Sequence, residues 1–92
     1  MKDDFKYTLS QNWIDKIKHM DEFSNGGTQV TIRLKNGKTF EKVLISNCKW
    51  IIAIRGYSDL PFSLDSIDDI YQTEQDKNPS ERGNWNFFGL PN

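Results

Sequence analysis

Two hydrophobic periods divide the chain. Leu9, Trp13, Ile17 and Met20 recur at helical spacing with Ile14 beside them, which makes one apolar stripe. Asp15, Lys16, Lys18, Asp21 and Glu22 fill much of the remainder, and Phe23 extends the stripe by one contact. Thr8 and Gln11 have capping-box spacing, with Ser10 and Asn12 as other caps. Asn25-Gly26-Gly27 ends the run, since glycine accepts the left-handed conformation of a helix C-cap. The pattern predicts a helix over residues 9–23.

The period then switches to two. Val30, Ile32 and Leu34 alternate with Thr31, Arg33 and Lys35, the mark of a half-buried strand. Asn36-Gly37 follows, a strong signal for a two-residue hairpin turn. Thr39 to Ser46 is the return strand. With that turn Glu41 shares a face with apolar residues while Phe40 and Leu44 point away. Either both faces are covered in part, or a bulge near Lys42-Val43 resets the register. Asn47-Cys48-Lys49 turns the chain again, and Trp50 to Arg55 reads as a central strand covered on both sides. Gly56 to Asp59 is a turn, and Leu60-Pro61-Phe62 is a short extended piece. Residues 63–66 make one tight helical turn. Ile67, Ile70 and Tyr71 close the domain as a short strand or a second helical turn.

Glu74 to Asn84 is polar and reads as a linker, after which Trp85, Phe87, Phe88 and Leu90 bring back apolar character. The division expected is a helix-plus-barrel domain over 1–73 and a linker with an aromatic tail over 74–92. The fold class expected is α+β, mostly β: an N-terminal helix followed by a small four- or five-stranded antiparallel barrel. The order helix, hairpin, third strand, short fourth strand, tight turn and closing strand resembles the SH3-like barrels, and among them the Sm-like arrangement, over roughly residues 8–73. Val30 to Gly37 looks like the alternating strand and glycine turn of the Sm-type RNA-binding proteins. Glu41-Lys42-Val43 stands where that family usually has a second glycine. The family's RNA-contacting Arg-Gly maps only onto Arg55-Gly56, so the resemblance carries no RNA-binding residues over.

Composition narrows the class. Of 92 residues, 13% are aromatic and the net charge is −1, which suits a packed core and gives no overall pull toward nucleic acid or anionic membranes. A single cysteine, Cys48, rules out an internal disulfide. The acidic start is unlike a signal peptide, and the longest apolar run, Trp50 to Ile54, is too short to span a bilayer. The expectation is a cytoplasmic protein, and the Lys, Asn and Ile usage resembles an AT-rich bacterial or phage gene.

Charge is unevenly placed. From Thr28 to Ser58 the basic residues Arg33, Lys35, Lys38, Lys42, Lys49 and Arg55 face Glu41 alone. From Asp59 to Glu81 the acids Asp59, Asp65, Asp68, Asp69, Glu74, Asp76 and Glu81 face Lys77 alone. His19 with Asp15 one turn before it has the form of an acid–base pair, but an exposed helix residue in an i, i+4 charge contact is the simpler reading. Cys48 beside Lys49 has the form of an activated thiol, yet a small residue at a strand junction explains it. Asp59, Asp65, Asp68 and Asp69 lack calcium-loop spacing and read as a solvated acidic face. No cofactor or metal set is expected, and no enzyme.

No motif names a function. The reading that leads is a non-catalytic protein-binding module, such as a small inhibitor or immunity-type protein. It would meet a basic partner through Asp65, Asp68, Asp69, Trp85, Phe87 and Phe88, since complementary fields orient association and aromatics anchor interfaces. The tail has two other uses: folding back over the sheet, or exchange between two copies as a homo-oligomer. The alternative function is a small-barrel binder of single-stranded nucleic acid through Arg33, Lys35, Lys38, Lys42 and Lys49.

Overall fold

The structure is a computed structural model and describes residues 6–88. Five antiparallel strands form one curled sheet, a half-barrel: β1 (Tyr7–Thr8), β2 (Gly27–Leu34), β3 (Thr39–Ser46), β4 (Trp50–Ile54) and β5 (Ile67–Tyr71), in the spatial order β1-β4-β3-β2-β5. Among the described residues, two short α-helices, α1 (Gln11–Ile17) and α2 (Glu74–Lys77), and a 3₁₀ turn at Leu64–Ser66 accompany it. The class is α+β and mostly β.

The leading element is a strand, not a helix, and α1 is shorter than the expected 9–23. Its last turn tightens, with the His19 and Met20 amides reaching back only three residues to Lys16 and Ile17. The next residues are drawn away by a tertiary tie: the Asp21 amide donates to the Gln72 side chain, which donates back to the Asp21 carbonyl. Asp21 and Glu22 would also sit badly at the negative end of a longer helix. Ser10 stands at the N-cap without a side-chain cap. The capping box forms instead at Thr73 and Asp76.

The β2–β3 turn also differs from expectation. Leu34 donates to the Lys38 carbonyl and Gly37 to the Leu34 carbonyl, so the loop holds three residues, with Gly37 at φ +91°. Asn36 has no positive φ, so the mirror-image turn does not form and a left-handed glycine closes the loop instead. The register therefore pairs Ile32 with Phe40 and keeps both in the core. Thr31 then stands opposite two residues, Glu41 and Lys42, and Lys42 takes φ +57°. This bulge restores the match of Val30 with Val43. A second bulge, at Ile52, sends Ile51 and Ile54 to one face and Ile52 and Ala53 to the other. That is why β4 reads as a continuous apolar run in the sequence.

Both faces are covered. The concave core joins Val30, Ile32, Val43, Ile45, Ile51, Ile54 and Ile70 to Leu9 and Ile17. A smaller cluster on the other face, Leu44, Ile52 and Ala53, packs with Phe23, Trp50 and Trp85. Residues 74–87 run along this outer face as a strap, and Phe88 at its end turns into the concave core. Leu60-Pro61-Phe62 adds no strand. Among the described residues no helix is long and apolar enough to cross a membrane.

Candidate functional site

The strap is fastened at three points. At its start Asp76, 1% exposed, lies over β2. Its carboxyl oxygens accept from Gln29 Nε2 (2.9 Å), Thr31 Oγ1 (2.9 Å) and the Thr73 amide (3.0 Å), while the Asp76 amide donates to Thr73 Oγ1. In the middle, the Arg55 guanidinium donates to the carbonyls of Glu81 (3.3 Å), Gly83 (2.8 Å) and Asn84 (3.4 Å). It lies 3.8 Å from the Trp85 ring centroid, a stacked cation–π contact. At the end the Phe88 amide donates to the Ile52 carbonyl (2.9 Å) on the edge of β4, beyond the two residues that β1 pairs there. The Phe88 ring is 2% exposed and meets Tyr7 edge-on.

Between the strap and the α1–β2 loop the outer face is left open. A cleft of about 210 Å³ has Leu44 and Ile52 among its lining, with Phe23, Trp85 and Phe87 at its sides and Ser24, Ser46 and Arg82 among its polar groups. That volume suits one side chain and falls short of a drug-sized ligand. Phe23 and Trp85 meet edge-on at 6.4 Å. Trp85 Nε1 donates to the Arg82 carbonyl, and Arg82 Nη2 donates to Asn78 Oδ1 at 2.7 Å. Phe87 is 50% exposed. The walls are thus held by hydrogen bonds and stacking, with one aromatic ring left toward solvent.

The expected site residues separate. Trp85 and Phe87 line this cleft, while Phe88 is core and its ring is not available to a partner. Asp68 accepts from Arg33 Nε and Nη2 at 3.0 and 2.9 Å. Asp69 meets Lys16 at 2.6 Å. It also accepts from the Ile70 amide. These bonds place charge along β5, which guards a sheet edge against pairing. Asp65 makes no ion pair among the described residues and lines a second cleft, at the seam between β1 and the 3₁₀ turn.

The residues of the nucleic-acid alternative are also dispersed. Arg33 is engaged by Asp68. Lys35 and Lys38 stand exposed at the hairpin loop, Lys42 in the bulge, and Lys49 over the Trp50 ring at 5.1 Å. Phe40 is buried, and Tyr57 is the one exposed large aromatic of the basic half among the described residues.

Electrostatic shifts follow the ion pairs. The Lys16 ammonium holds the Asp69 carboxyl below the usual carboxylate range. The Tyr7 hydroxyl, 2.6 Å away, does the same for Asp59, helped by the Leu60 amide. Burial pushes the Cys48 thiol up, and Glu22 adds to it. Lys18 works the other way, and Lys49, its neighbour in sequence, is not among the groups acting on the thiol. Among the described residues no group of three His, Cys, Asp or Glu side chains is placed to hold a metal ion.

Arg55, Asp76 and Arg82 organise the strap, and sequence reasoning missed all three as site residues. The one available signal was an acid and two arginines inside or near stretches otherwise read as turn and linker. Comparison of this small curled-sheet protein with protein-family models, curated proteins and solved structures finds no match.

Proposed function

We propose that this chain is a non-catalytic protein-binding module of the small inhibitor or immunity type. It takes an apolar anchor side chain of its partner into the cleft bounded by Phe23, Trp85 and Phe87. The observation that carries this reading is Phe87, half-exposed beside a one-side-chain cleft whose other aromatic walls are fixed. Interfaces draw most of their energy from such aromatic-lined, desolvated pockets. The curled sheet is read as an Sm-like variant of the SH3-like barrels. The meander β2-β3-β4 with β5 returning to β2 supports this. A reducing, cytoplasmic setting is consistent with the lone Cys48 thiol.

The test is affinity capture with the wild type, Phe87→Ala and Ser46→Arg, each with and without nuclease. One protein retained by the wild type and lost with both variants supports the cleft. Retention by both variants rejects it. Enrichment that disappears with nuclease replaces it with the nucleic-acid reading through Lys35, Lys38, Lys42 and Lys49.

A further inference from the structure

The half-barrel does not close, because β1 and β5 occupy opposite edges of the sheet. The seam between them is filled by α1 and the 3₁₀ turn, and the filling is incomplete. A cleft of about 240 Å³ remains, lined by Thr8, Leu9, Ser10, Trp13, Leu64 and Asp65. It shares no residue with the cleft beside the strap.

Its chemistry is specific. Trp13 is half-buried and packs against the core, so its indole is held in place. Asp65 is held by its own backbone, whose amide donates to Ser63 Oγ. The Asp65 carboxylate and the Trp13 indole N–H have no hydrogen-bond partner among the described residues. This distinguishes Asp65 from Asp59, Asp68 and Asp69, which are satisfied by Tyr7, Arg33 and Lys16. The cleft therefore joins an indole, an apolar wall from Leu9 and Leu64, and one unneutralised carboxylate, in a space the size of a single side chain.

We propose that this seam cleft binds an arginine side chain of a partner protein, with the guanidinium on the Asp65 carboxylate and against the Trp13 ring. A flat guanidinium stacks on an indole face and offers two parallel donors to a carboxylate. An ammonium is a compact, strongly hydrated charge that gains less from such a slot. The stem methylenes of arginine lie on the apolar wall. The site is independent of the strap cleft and stands or falls separately from it.

The test follows the indole and backbone N–H resonances of the full chain during titration with a blocked Ala-Arg-Ala peptide. The control is its citrulline counterpart, which has the same shape without the charge. Trp13→Phe assigns the Trp13 indole signal among the three tryptophans. The arginine peptide is expected to move the Trp13 indole and Asp65 amide signals with millimolar affinity, and the citrulline peptide to move neither. Asp65→Asn, an exposed position that leaves the fold intact, is expected to weaken binding roughly fivefold, whereas Glu74→Gln leaves it unchanged. No shift at Trp13 with peptide at about 10 mM, or equal binding by Asp65→Asn, overturns the proposal. So does free arginine binding more tightly than the peptide, which would make the occupant a small molecule.

Discussion

Among the described residues, Gln29, Thr31 and Asp76 are the buried polar residues on the outer face, and each answers another. The Asp76 carboxyl takes three hydrogen bonds, two from side chains of β2 and one from the Thr73 amide. Asp76→Ala leaves those donors buried without an acceptor and should cost about 3 kcal/mol. A lower urea midpoint with unchanged slope would show it. Thr28 is the contrasting case. It is 0% exposed on β2, and its hydroxyl has no hydrogen-bond partner among the described residues. Thr28→Val keeps the shape and removes the unsatisfied group, so it should raise stability by about 1 kcal/mol. Neither role is visible along the chain. Thr28, Gln29 and Thr31 look like ordinary polar positions beside a strand, and Asp76 sits in a stretch whose composition reads as linker. Only the strap lying on β2 makes Gln29 and Thr31 partners of Asp76, whereas Thr28, opposite Ile45, faces the concave core, where its hydroxyl is an orphan among the described residues.

The elements show where local signals suffice and where packing overrides them. Asn47 and Cys48 hold φ of +52° and +63°, and the Lys49 amide donates to the Ser46 carbonyl. Two successive positive φ values are what a type I′ turn needs, and a cysteine adopts one at a cost. Cys48→Gly should stabilise the β3–β4 hairpin by roughly 1 kcal/mol, read as a rise in melting temperature. The strong turn signal at Asn36-Gly37 marks a turn correctly and misstates its length. The third loop residue is what brings Phe40 into the core, and burial of an aromatic outweighs the preference of a dipeptide. Of the two remedies expected, the sheet shows both: a bulge at Glu41-Lys42 and cover on both faces. The strap is the element whose stability rests most on one side chain. Arg55, with 18% of its side chain exposed, holds three carbonyls and one indole. Arg55→Ala should leave the sheet folded while the Phe88 amide exchanges at least tenfold faster. Tryptic cleavage after Arg82 should also accelerate. Equal exchange in the variant would show that Asp76 and Phe88 hold the strap without it.

At the scale of the molecule, the basic and acidic halves of the sequence become neighbours. β2 pairs with β5, so Arg33 stands opposite Asp69 and bonds to Asp68. Lys16 of α1 reaches Asp69, and the Tyr7 hydroxyl, with Lys6 beside it, reaches Asp59. These contacts set the acid response. The folded pKa values of Asp59 and Asp69 lie below their unfolded values, so their contribution is present above about pH 4 and is lost as pH falls through the lower folded values. Denaturant midpoints should decline below that pH. The decline should be shallower in Asp69→Asn, which no longer has the carboxyl to protonate. An unchanged profile would assign the acid sensitivity to other groups.

Hydrophobic period and turn residues by themselves determined a small, mostly β chain, a short helical stripe at Trp13 and Ile17, and strands near 30–34, 39–46 and 50–54. These depend on neighbours a few residues apart, and the spacing of apolar groups records them directly. Tertiary structure alone decided that Tyr7–Thr8 is a strand, that residues 74–87 lie on the outer face with Phe88 tucked into the core, and that the sheet stays open at the β1–β5 seam. It also decided which charges are satisfied: Arg33 pairs with Asp68 across β2 and β5, Lys16 and Lys6 take up Asp69 and Asp59, and Lys35 and Lys38 stay exposed while Asp65 is left facing a cleft. Strand order and strap placement bring together groups some 30 to 50 residues apart, and no local pattern encodes such distances. The energy that selects them comes from burying faces and satisfying polar groups in the assembled fold.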